Sequence, residues 1–246
     1  MENKNQEQTL VLIKPDALKN SLTGYVLSQL SQFHTGLFFA GAKIVHVSKM
    51  LADEHYSEHR GKVFFPSLLK MITGRIHYPG EPANRRVIAL VYHGPDAVKK
   101  IRDIAGPTNP HVARDEKPGC IRALGTVVPL KDAEGNDVGE RMDNLIHASA
   151  TNEEAEREIK LWFKPGDIPP AIRAYDVEVN DGYFYYKDGQ LGDKNDPGSI
   201  CFLAPGTKAW KSDMETLRIL MDGKPAVSSL ETVVVKYLIN ENQENS

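Results

Sequence analysis

The chain has 246 residues, enough for one large domain or for a medium domain with an appendage. A hydrophobic fraction of 41% and a charged fraction of 26% are typical of a folded globular protein and exclude wholesale disorder. The 33 Asp and Glu outnumber the 30 Lys and Arg, so the chain lacks the positive excess of a duplex-binding surface. We therefore expect no nucleic-acid partner.

The N-terminus and the cysteines indicate the compartment. The first eight residues are polar and lack the apolar core of a secretory signal, and no apolar stretch approaches the ~20 residues that cross a bilayer. Cys120 and Cys201 are too few for a disulfide framework or a four-ligand zinc site. We expect a cytoplasmic protein with two free thiols and no membrane partner.

The N-terminal part of the chain predicts alternating strands and helices. Short apolar or β-branched runs indicate the strands, and apolar residues at helical spacing indicate the helices. Residues 106–143 contain five Gly and are expected to form a loop with one hairpin around Glu134-Gly135-Asn136. The expected strands are residues 9–13, 42–47 and 87–92, and the expected helices are residues 24–33, 51–60, 64–72 and 97–104.

A further helix has a clear start and end. Thr151 and Glu154 form a capping box, in which a hydroxyl and a carboxylate satisfy free amides at the first turn. An apolar stripe follows at helical spacing, and a Pro-Gly pair at position 165 ends the helix. Because the composition shifts there, we divide the chain into residues 1–164 and residues 165–246.

The C-terminal extension predicts a small mixed α/β unit. Its signals are an Asp-Gly turn between two β-rich runs, a second capping box and a run of β-branched residues near the end. They predict a hairpin of residues 175–179 and 183–186 around Asp181-Gly182, a helix capped by Ser212 and Glu215, a closing strand over 233–239 and a frayed tail over 240–246.

A histidine before the capped helix is a candidate nucleophile. The chain has no glycine-rich phosphate-binding motif, so phosphate chemistry would need scattered cations and hydroxyls instead. His147 precedes the helix that carries Glu158, and a chain that folds back would bring this carboxylate to the imidazole. A carboxylate on one ring nitrogen fixes the tautomer and leaves the other nitrogen as a nucleophile. From these residues alone, a structural histidine is the favoured interpretation.

Seven short segments follow one another in order over residues 8–164. They are Leu12-Ile13-Lys14-Pro15-Asp16-Ala17, His55-Tyr56, Phe64-Phe65, Arg102 with Gly106-x-Thr108-Asn109-Pro110, Lys117-Pro118-Gly119-x-Ile121-Arg122, Asn144-x-x-His147-x-Ser149 and Glu158-Ile159-x-Leu161-Trp162-Phe163. As an ordered set they resemble nucleoside diphosphate kinases. The resemblance implies a ferredoxin-like α/β (α+β) sandwich with an antiparallel four-stranded sheet, to which the C-terminal extension is added.

The resemblance also implies an activity and the residues that perform it. A histidine takes the terminal phosphoryl group of a nucleoside triphosphate and passes it to a nucleoside diphosphate in a ping-pong reaction. The resemblance implies that His147 is phosphorylated, that Glu158 orients its imidazole, and that Tyr56 lies close to the reacting group. The phosphates are assigned to Arg102, Thr108 and Arg122, the sugar hydroxyls to Lys14 and Asn144, and the base to the ring of Phe64; Lys14 is also counted with the catalytic residues.

The cofactor and the partners follow from the same resemblance. Mg²⁺ is expected to bridge the phosphates with few protein ligands, and no residue is assigned as a metal ligand. The partners are nucleoside diphosphates and triphosphates, with ATP as the donor. The family forms hexamers or tetramers, so a homo-oligomer is expected.

The chain departs from the family pattern at several places. Ala148 and Ala150 replace a glycine and an aspartate, and a methyl group at 148 would be strained if the backbone there had a positive φ. The gap between Arg122 and Asn144 is longer than usual, and residues 127–143 are expected to form a hairpin near the nucleotide mouth. These departures motivate one alternative, a nucleotide-binding scaffold of the same fold with little turnover.

A second alternative comes from an unrelated motif. His55, Glu58 and His59 match the H-x-x-E-H pattern of inverted zincins, in which two histidines on one helix face hold Zn²⁺. A zinc peptidase would need a third ligand, and the sequence offers no distinctive one.

Overall fold

The structure is a computed structural model that describes residues 6–132 and 134–239. No helix within these ranges is long and apolar enough to span a membrane. The strands are β1 (Gln6–Ile13), β2 (Phe38–Val45), β3 (Val87–Pro95), β4 (Thr126–Lys131), β5 (Asp137–Asp143), β6 (Ile146–Ala148), β7 (Val177–Val179), β8 (Phe184–Lys187), β9 (Gln190–Gly192), β10 (Ile200–Leu203) and β11 (Lys208–Trp210).

Helices and short 3-10 turns connect these strands. The α-helices are α1 (Pro15–Lys19), α2 (Thr23–Gln29), α3 (Gln32–Thr35), α4 (Lys49–His55), α5 (Phe65–Ile72), α6 (Ala97–Ala105), α7 (Pro110–Glu116), α8 (Asn152–Trp162), α9 (Lys211–Met221) and α10 (Leu230–Tyr237).

A four-stranded antiparallel sheet in the order β2-β3-β1-β6 organises the first 164 residues, as the resemblance predicted. Successive side chains of a strand point to opposite faces, so β1 contributes to two cores. Leu10 and Leu12 pack with α8 on one face, whereas Val11 and Ile13 pack with α6 on the other. The strand β6 lies at the sheet edge and pairs with β1. Because of this pairing, the residues just before β6 and just after it lie next to β1.

The extension shares the core of the first face. Trp210 of β11 is fully buried in the same apolar cluster as Trp162 and Phe163. Its indole Nε1 also donates to the carbonyl of Phe163 at 2.9 Å. A second apolar cluster lies within the extension itself and packs α9 and α10 against β10. The residues after 164 are therefore continuous with the main core and also have one of their own.

Several expectations for the N-terminal part are confirmed and three need correction. The helix expected over 51–60 ends at His55, and a 3-10 turn over Ser57–His59 follows it. The expected hairpin around Glu134-Gly135-Asn136 is confirmed as β4 paired with β5, and Thr151 caps α8 by accepting from the amide of Glu154 at 3.2 Å. The helix expected over 24–33 is wrong as a single element, because it breaks into α2 and α3 and leaves Phe33 92% exposed. The loop expected over 106–143 also contains α7, which Asn109 caps.

Three expectations for the extension are wrong. The runs flanking Asp181-Gly182 do not pair, because β7 pairs with β11 and β8 pairs with β9 and β10. Ser212 does not cap a helix, since α9 begins one residue earlier without a side-chain cap. The expected closing strand is α10, capped by Ser229, and its β-branched residues pack helically into the second core. The expected tail at 240–246 lies outside the described residues.

Candidate active site

His147 lies on the edge strand β6, opposite Leu12 of β1, with one ring nitrogen held and the other open. Its Nε2 lies 2.9 Å from both carboxylate oxygens of Glu158. Its side chain is 19% exposed and borders a cavity. Nδ1 makes no hydrogen bond to any residue in the described ranges. The carboxylate therefore favours the tautomer with hydrogen on Nε2, which leaves the Nδ1 lone pair free.

Glu158 is itself held from behind. The hydroxyl of Ser149 donates to its Oε2 at 2.6 Å, and the amide of Leu10 donates to that hydroxyl at 3.2 Å. Burial by itself would raise the pKa of Glu158, but the imidazoles of His147 and His55 and the hydrogen bonds outweigh burial and lower the pKa to about 2. The carboxylate is therefore ionised at neutral pH.

His55, a residue that the sequence analysis did not assign to the site, packs directly against the candidate nucleophile. The two imidazole rings meet edge to face, with centroids 4.5 Å apart. Trp162 donates its indole N–H to Nδ1 of His55 at 3.1 Å, so Nε2 carries the hydrogen. Burial lowers the pKa of His55 to about 3 and keeps the ring neutral. The His55-Tyr56 segment, which is part of the resemblance, was the sequence signal that could have assigned His55 to the site.

The H-x-x-E-H motif does not assemble as a zincin site. His59 contacts Glu58 at 3.4 Å on the surface, whereas His55 lies in the buried cluster. Within the described residues, the group whose ligand atoms are close enough for a metal is His55, His147 and Glu158, with all atoms within 4.8 Å. In that group Trp162 occupies Nδ1 of His55 and Glu158 engages His147, which is the arrangement of a supported imidazole.

Two arginines border the same cavity as His147. The side chain of Arg122 is almost fully buried and donates to the carbonyls of Gly106 at 2.9 Å and Ile146 at 3.4 Å, while its Nε has no partner among the described residues. Burial, followed by the nearby charge of Arg102, lowers the pKa of Arg122 to about 10, so it stays cationic at neutral pH. Arg102 borders the same cavity from α6. Two cations therefore border the cavity that His147 also borders.

A polar chain connects β1 to the turn before β6. Lys14 is buried, and its ammonium donates to Oδ1 of Asn144 at 2.5 Å. Asn144 in turn donates to the carbonyl of Thr108 at 2.8 Å. Asp16 accepts from the amide of Leu145 at 2.8 Å, where the backbone has a φ of +70°. This network fixes the turn that delivers His147 to the sheet edge.

One cavity of about 420 Å³ joins these groups. All the residues predicted from the sequence line it except Glu158, which lies behind His147. Tyr56 is buried at its wall, and burial raises the pKa of this phenol, so the hydroxyl stays protonated. Phe64 is 39% exposed and presents its ring at the mouth. The predicted lining residues are Lys14, Tyr56, Phe64, Arg102, Thr108, Arg122, Asn144 and His147.

The departures from the family pattern take definite places. Ala148 lies in β6 and is not among the residues with positive φ, so its methyl group causes no backbone strain. Ala150 also borders the cavity, and its amide donates to Glu154 at 3.0 Å. The hairpin of β4 and β5 contributes Leu130, Glu140, Arg141 and Met142 to the cavity wall, which confirms that residues 127–143 form a hairpin and places it at the mouth.

Known proteins match the first two thirds of the chain. A family model described as nucleoside diphosphate kinase matches residues 7–168. A nucleoside diphosphate kinase from Pyrococcus furiosus is 38% identical over 170 residues, which are 69% of this chain and 91% of that protein. One from Thermus thermophilus is 36% identical over 162 residues, which are 66% of this chain and 98% of that protein.

Solved structures give the same result. The nucleoside diphosphate kinase of Borrelia burgdorferi, described as a transition-state mimic with bound vanadate and ADP, matches with a TM-score of 0.52 and 29% identity over 69% of this chain and 94% of that one. The enzyme of Halobacterium salinarum, in complex with CDP, matches with a TM-score of 0.51 and 33% identity over 69% and 95%. The chain belongs to the nucleoside diphosphate kinase family and is a phosphotransferase that acts on nucleoside triphosphates and diphosphates.

Proposed function

We propose that His147 is the residue phosphorylated in this reaction. The observation that carries the proposal is the pairing of His147 Nε2 with both oxygens of Glu158, which leaves Nδ1 facing the cavity. A neutral imidazole is nucleophilic at neutral pH, and an ionised carboxylate on its far side stabilises the cation that forms on attack. Ser149 supports the carboxylate from behind.

The transfer is written as two displacements. The Nδ1 lone pair attacks the terminal phosphorus of the triphosphate, an N–P bond forms, and the bond from that phosphorus to the bridging oxygen breaks with its electron pair on the departing diphosphate. The terminal oxygen of a second diphosphate then attacks phosphohistidine, and the N–P bond returns its electrons to Nδ1. The Nε2 proton stays on His147 and donates to the carboxylate of Glu158 throughout.

The cationic groups stabilise the charge that spreads over the transferring oxygens. Arg122 and Arg102 border the cavity beside His147, and a planar guanidinium binds phosphate oxygens in pairs. Thr108 adds a hydroxyl, and Tyr56 keeps its phenolic proton near the reacting group. The buried ammonium of Lys14 and the amide of Asn144 are assigned to the sugar hydroxyls.

The donor set fits Mg²⁺ that arrives on the nucleotide. The buried carboxylate of Glu158 is engaged by His147 and Ser149, and Glu154, which lines the cavity, accepts from the amide of Ala150. Phosphate oxygens and water would therefore hold the ion, with no protein cage. When bound, Mg²⁺ neutralises phosphate charge and favours the in-line arrangement.

We also propose a homo-oligomer, a hexamer or tetramer, in the cytoplasm. Phe38 and Phe39 of the edge strand β2 are 38% and 50% exposed, which is a large apolar exposure for a strand at a sheet edge. Cys120 and Cys201 are free, in accord with a reducing compartment. Light scattering of the purified chain measures the assembly, and a monomeric mass would contradict it.

Labelling with γ-³²P ATP tests the nucleophile. The wild-type protein should acquire an acid-labile, base-stable label that GDP removes, and His147→Ala should acquire none. His34→Ala, which alters an exposed histidine outside the cavity, is the matched control and should label normally. Nucleotide binding without label on the wild type would instead favour the scaffold alternative.

A further inference from the structure

The hairpin of β4 and β5 adds a charged wall to the nucleotide cavity. Its apolar contributions are Leu130 and Met142, and its charged ones are Glu140 and Arg141. A base that only stacks on an aromatic ring needs no such charges, because every base offers a π-face. The charged groups of the hairpin can therefore distinguish one base from another, whereas stacking on Phe64 alone cannot.

One edge of the Arg141 guanidinium is fixed. Its Nε donates to Oδ1 of Asp143 at 2.8 Å, and its Nη2 donates to Oδ2 at 3.0 Å, a bidentate pair along the side of the plane. His77 donates to the same carboxylate at 3.1 Å. The side chains of Arg141 and Asp143 are 18% and 11% exposed, so this pair is more sheltered than an ordinary surface ion pair.

The other edge of the guanidinium remains available. A guanidinium carries five N–H donors, and the pair with Asp143 uses one on Nε and one on Nη2. Nη1 makes no hydrogen bond to any residue that the structure describes. The remaining edge therefore offers parallel donors from Nη1 and Nη2. This fork matches the O6 and N7 acceptors of guanine, whereas adenine presents an amino group in place of O6.

Arg141 lies at the sugar and base end of the cavity. Asp143, its partner, directly precedes Asn144, and Asn144 bonds Lys14, the pair assigned to the sugar. His77, the second support, lies beyond the C-terminal end of α5, the helix that lines the same cavity with Leu68 and Met71. The phosphate-binding Arg122 is instead bonded to the carbonyls of Gly106 and Ile146 beside the nucleophile.

We propose that Arg141 reads the keto edge of guanine and makes this enzyme prefer guanine over adenine nucleotides. The proposal rests on the proposed function, because it places the base against Phe64 in the cavity that serves His147. Asp143 and His77 act as positioning residues that hold the donor plane. Arg141 is then a specificity residue in a segment that is longer here than the family pattern.

Calorimetric titration of the unphosphorylated protein with GDP, IDP and ADP tests the assignment without requiring turnover. Inosine shares O6 and N7 with guanine but lacks its 2-amino group, so GDP and IDP should bind alike. Both should bind at least about fivefold more tightly than ADP, the lower range of discrimination by one bidentate base contact. Arg141→Met, which keeps an extended side chain but removes every donor, should abolish this ratio.

Lys131→Met is the matched control, since it removes an exposed cation of the same hairpin that does not line the cavity. It should keep the wild-type ratio. Because each ratio compares two nucleotides on one protein, a partly unfolded variant does not distort it. Equal affinity of the wild type for GDP and ADP, or an unchanged ratio in Arg141→Met, would overturn the proposal. Phosphorylation of His147 by ATP is scored separately, so a failure of base selection is distinguishable from a failure of the nucleophile.

Discussion

Two buried polar networks, one in each part of the chain, contain similar chemistry but differ in one respect. In the first part, Ser149, Glu158 and His147 form a connected series. In the extension, Asp213 accepts from Lys236 at 2.5 Å and from the hydroxyl of Tyr237 at 2.8 Å. The amide of Trp210 completes the second network by donating to Tyr237 at 3.0 Å.

The difference is whether the network ends inside the protein or at a cavity. Both oxygens of Asp213 accept from groups of α10, and all three groups lie in the core between α9 and α10. The first network ends at His147, a residue that borders the cavity proposed for the nucleotide. A buried charge pair by itself is weak evidence for function, because such pairs also serve structure. An open nucleophilic atom at the end of the series distinguishes the site.

The largest expected effect is on catalysis through Glu158. Replacing it as Glu158→Gln should slow His147 labelling by ATP about 10²- to 10⁴-fold, because an amide cannot stabilise the imidazolium that forms on attack. The free energy of unfolding should fall by about 1–3 kcal/mol, since the amide fills the same space but its NH2 group cannot accept the hydrogen bonds that one carboxylate oxygen accepts. Rapid-quench labelling and urea unfolding measure the two quantities; normal labelling would contradict the role of the carboxylate.

The reverse pattern is expected in the extension. Lys236→Met should lower the free energy of unfolding by about 3–5 kcal/mol, because it leaves Asp213 buried without its cation. Labelling of His147 at a temperature where the variant is folded should remain within about twofold of wild type. Lys208→Met, an exposed lysine on β11, is the control and should change neither quantity appreciably. Loss of labelling in folded Lys236→Met would show that the two networks are coupled.

Replacing Arg122, like replacing Glu158, is expected to affect catalysis. Arg122→Ala should lower kcat/KM by the factor that corresponds to a loss of about 3 kcal/mol of transition-state stabilisation, because in the proposed mechanism the guanidinium binds the transferring phosphate. Arg75→Ala, at an exposed arginine outside the cavity, serves as the control. Steady-state assays with varied ATP measure the effect, and an unchanged kcat/KM would remove Arg122 from the site.

Phe64 should affect affinity without discriminating between bases. Phe64→Ala should weaken binding of GDP, ADP, UDP and CDP alike by about 1–3 kcal/mol, the range for one base–aromatic stack. Calorimetric titrations measure each affinity. A loss confined to one base would contradict stacking and would assign discrimination to this ring rather than to Arg141.

The smallest expected effect is a dependence of the free energy of unfolding on pH, which arises from His55. Its pKa is lowered to about 3 in the fold from 6.5, so the unfolded chain binds the proton first as the pH falls. This contribution is therefore complete above pH 6.5 and is lost progressively down to about pH 3, by at most about 1.4 kcal/mol per pH unit.

Thermal unfolding between pH 7 and pH 5 measures this slope. Glu158 stays ionised in that window because its folded pKa is about 2. His55→Asn keeps an acceptor for Trp162 but does not titrate, so its slope should be shallower than that of the wild type. Equal slopes would show that His55 is not the group responsible.

Local signals predicted much of the first part and failed in the extension for a common reason. The strands β1 and β3 each contain a continuous apolar run, and the start of α8 has one capping hydroxyl, so neighbouring residues are sufficient to identify them. In the extension, the residues 233–239 have β-branched side chains that favour a strand. They form α10 instead, because packing against α9 and β10 outweighs the intrinsic preference.

The candidate site residues were predictable as a set because they belong to motifs of the family. Their contacts with one another were not predictable. The partners of His55 are Trp162 and His147, which lie 107 and 92 positions further along the chain. The support of Arg141 by Asp143 and His77 likewise joins the hairpin to a segment far away in sequence. No periodicity reports such pairings, since each depends on how two elements meet.

The amino-acid sequence by itself was therefore sufficient to determine the family and to propose the nucleophile and the cations around it, because those depend on residue type and order. The tertiary structure decided which nitrogen of His147 is open, that the hairpin reaches the cavity, and that Trp210 joins the main core. The physical reason is that these properties arise from contacts between distant residues, and burial and hydrogen bonding there outweigh local preference.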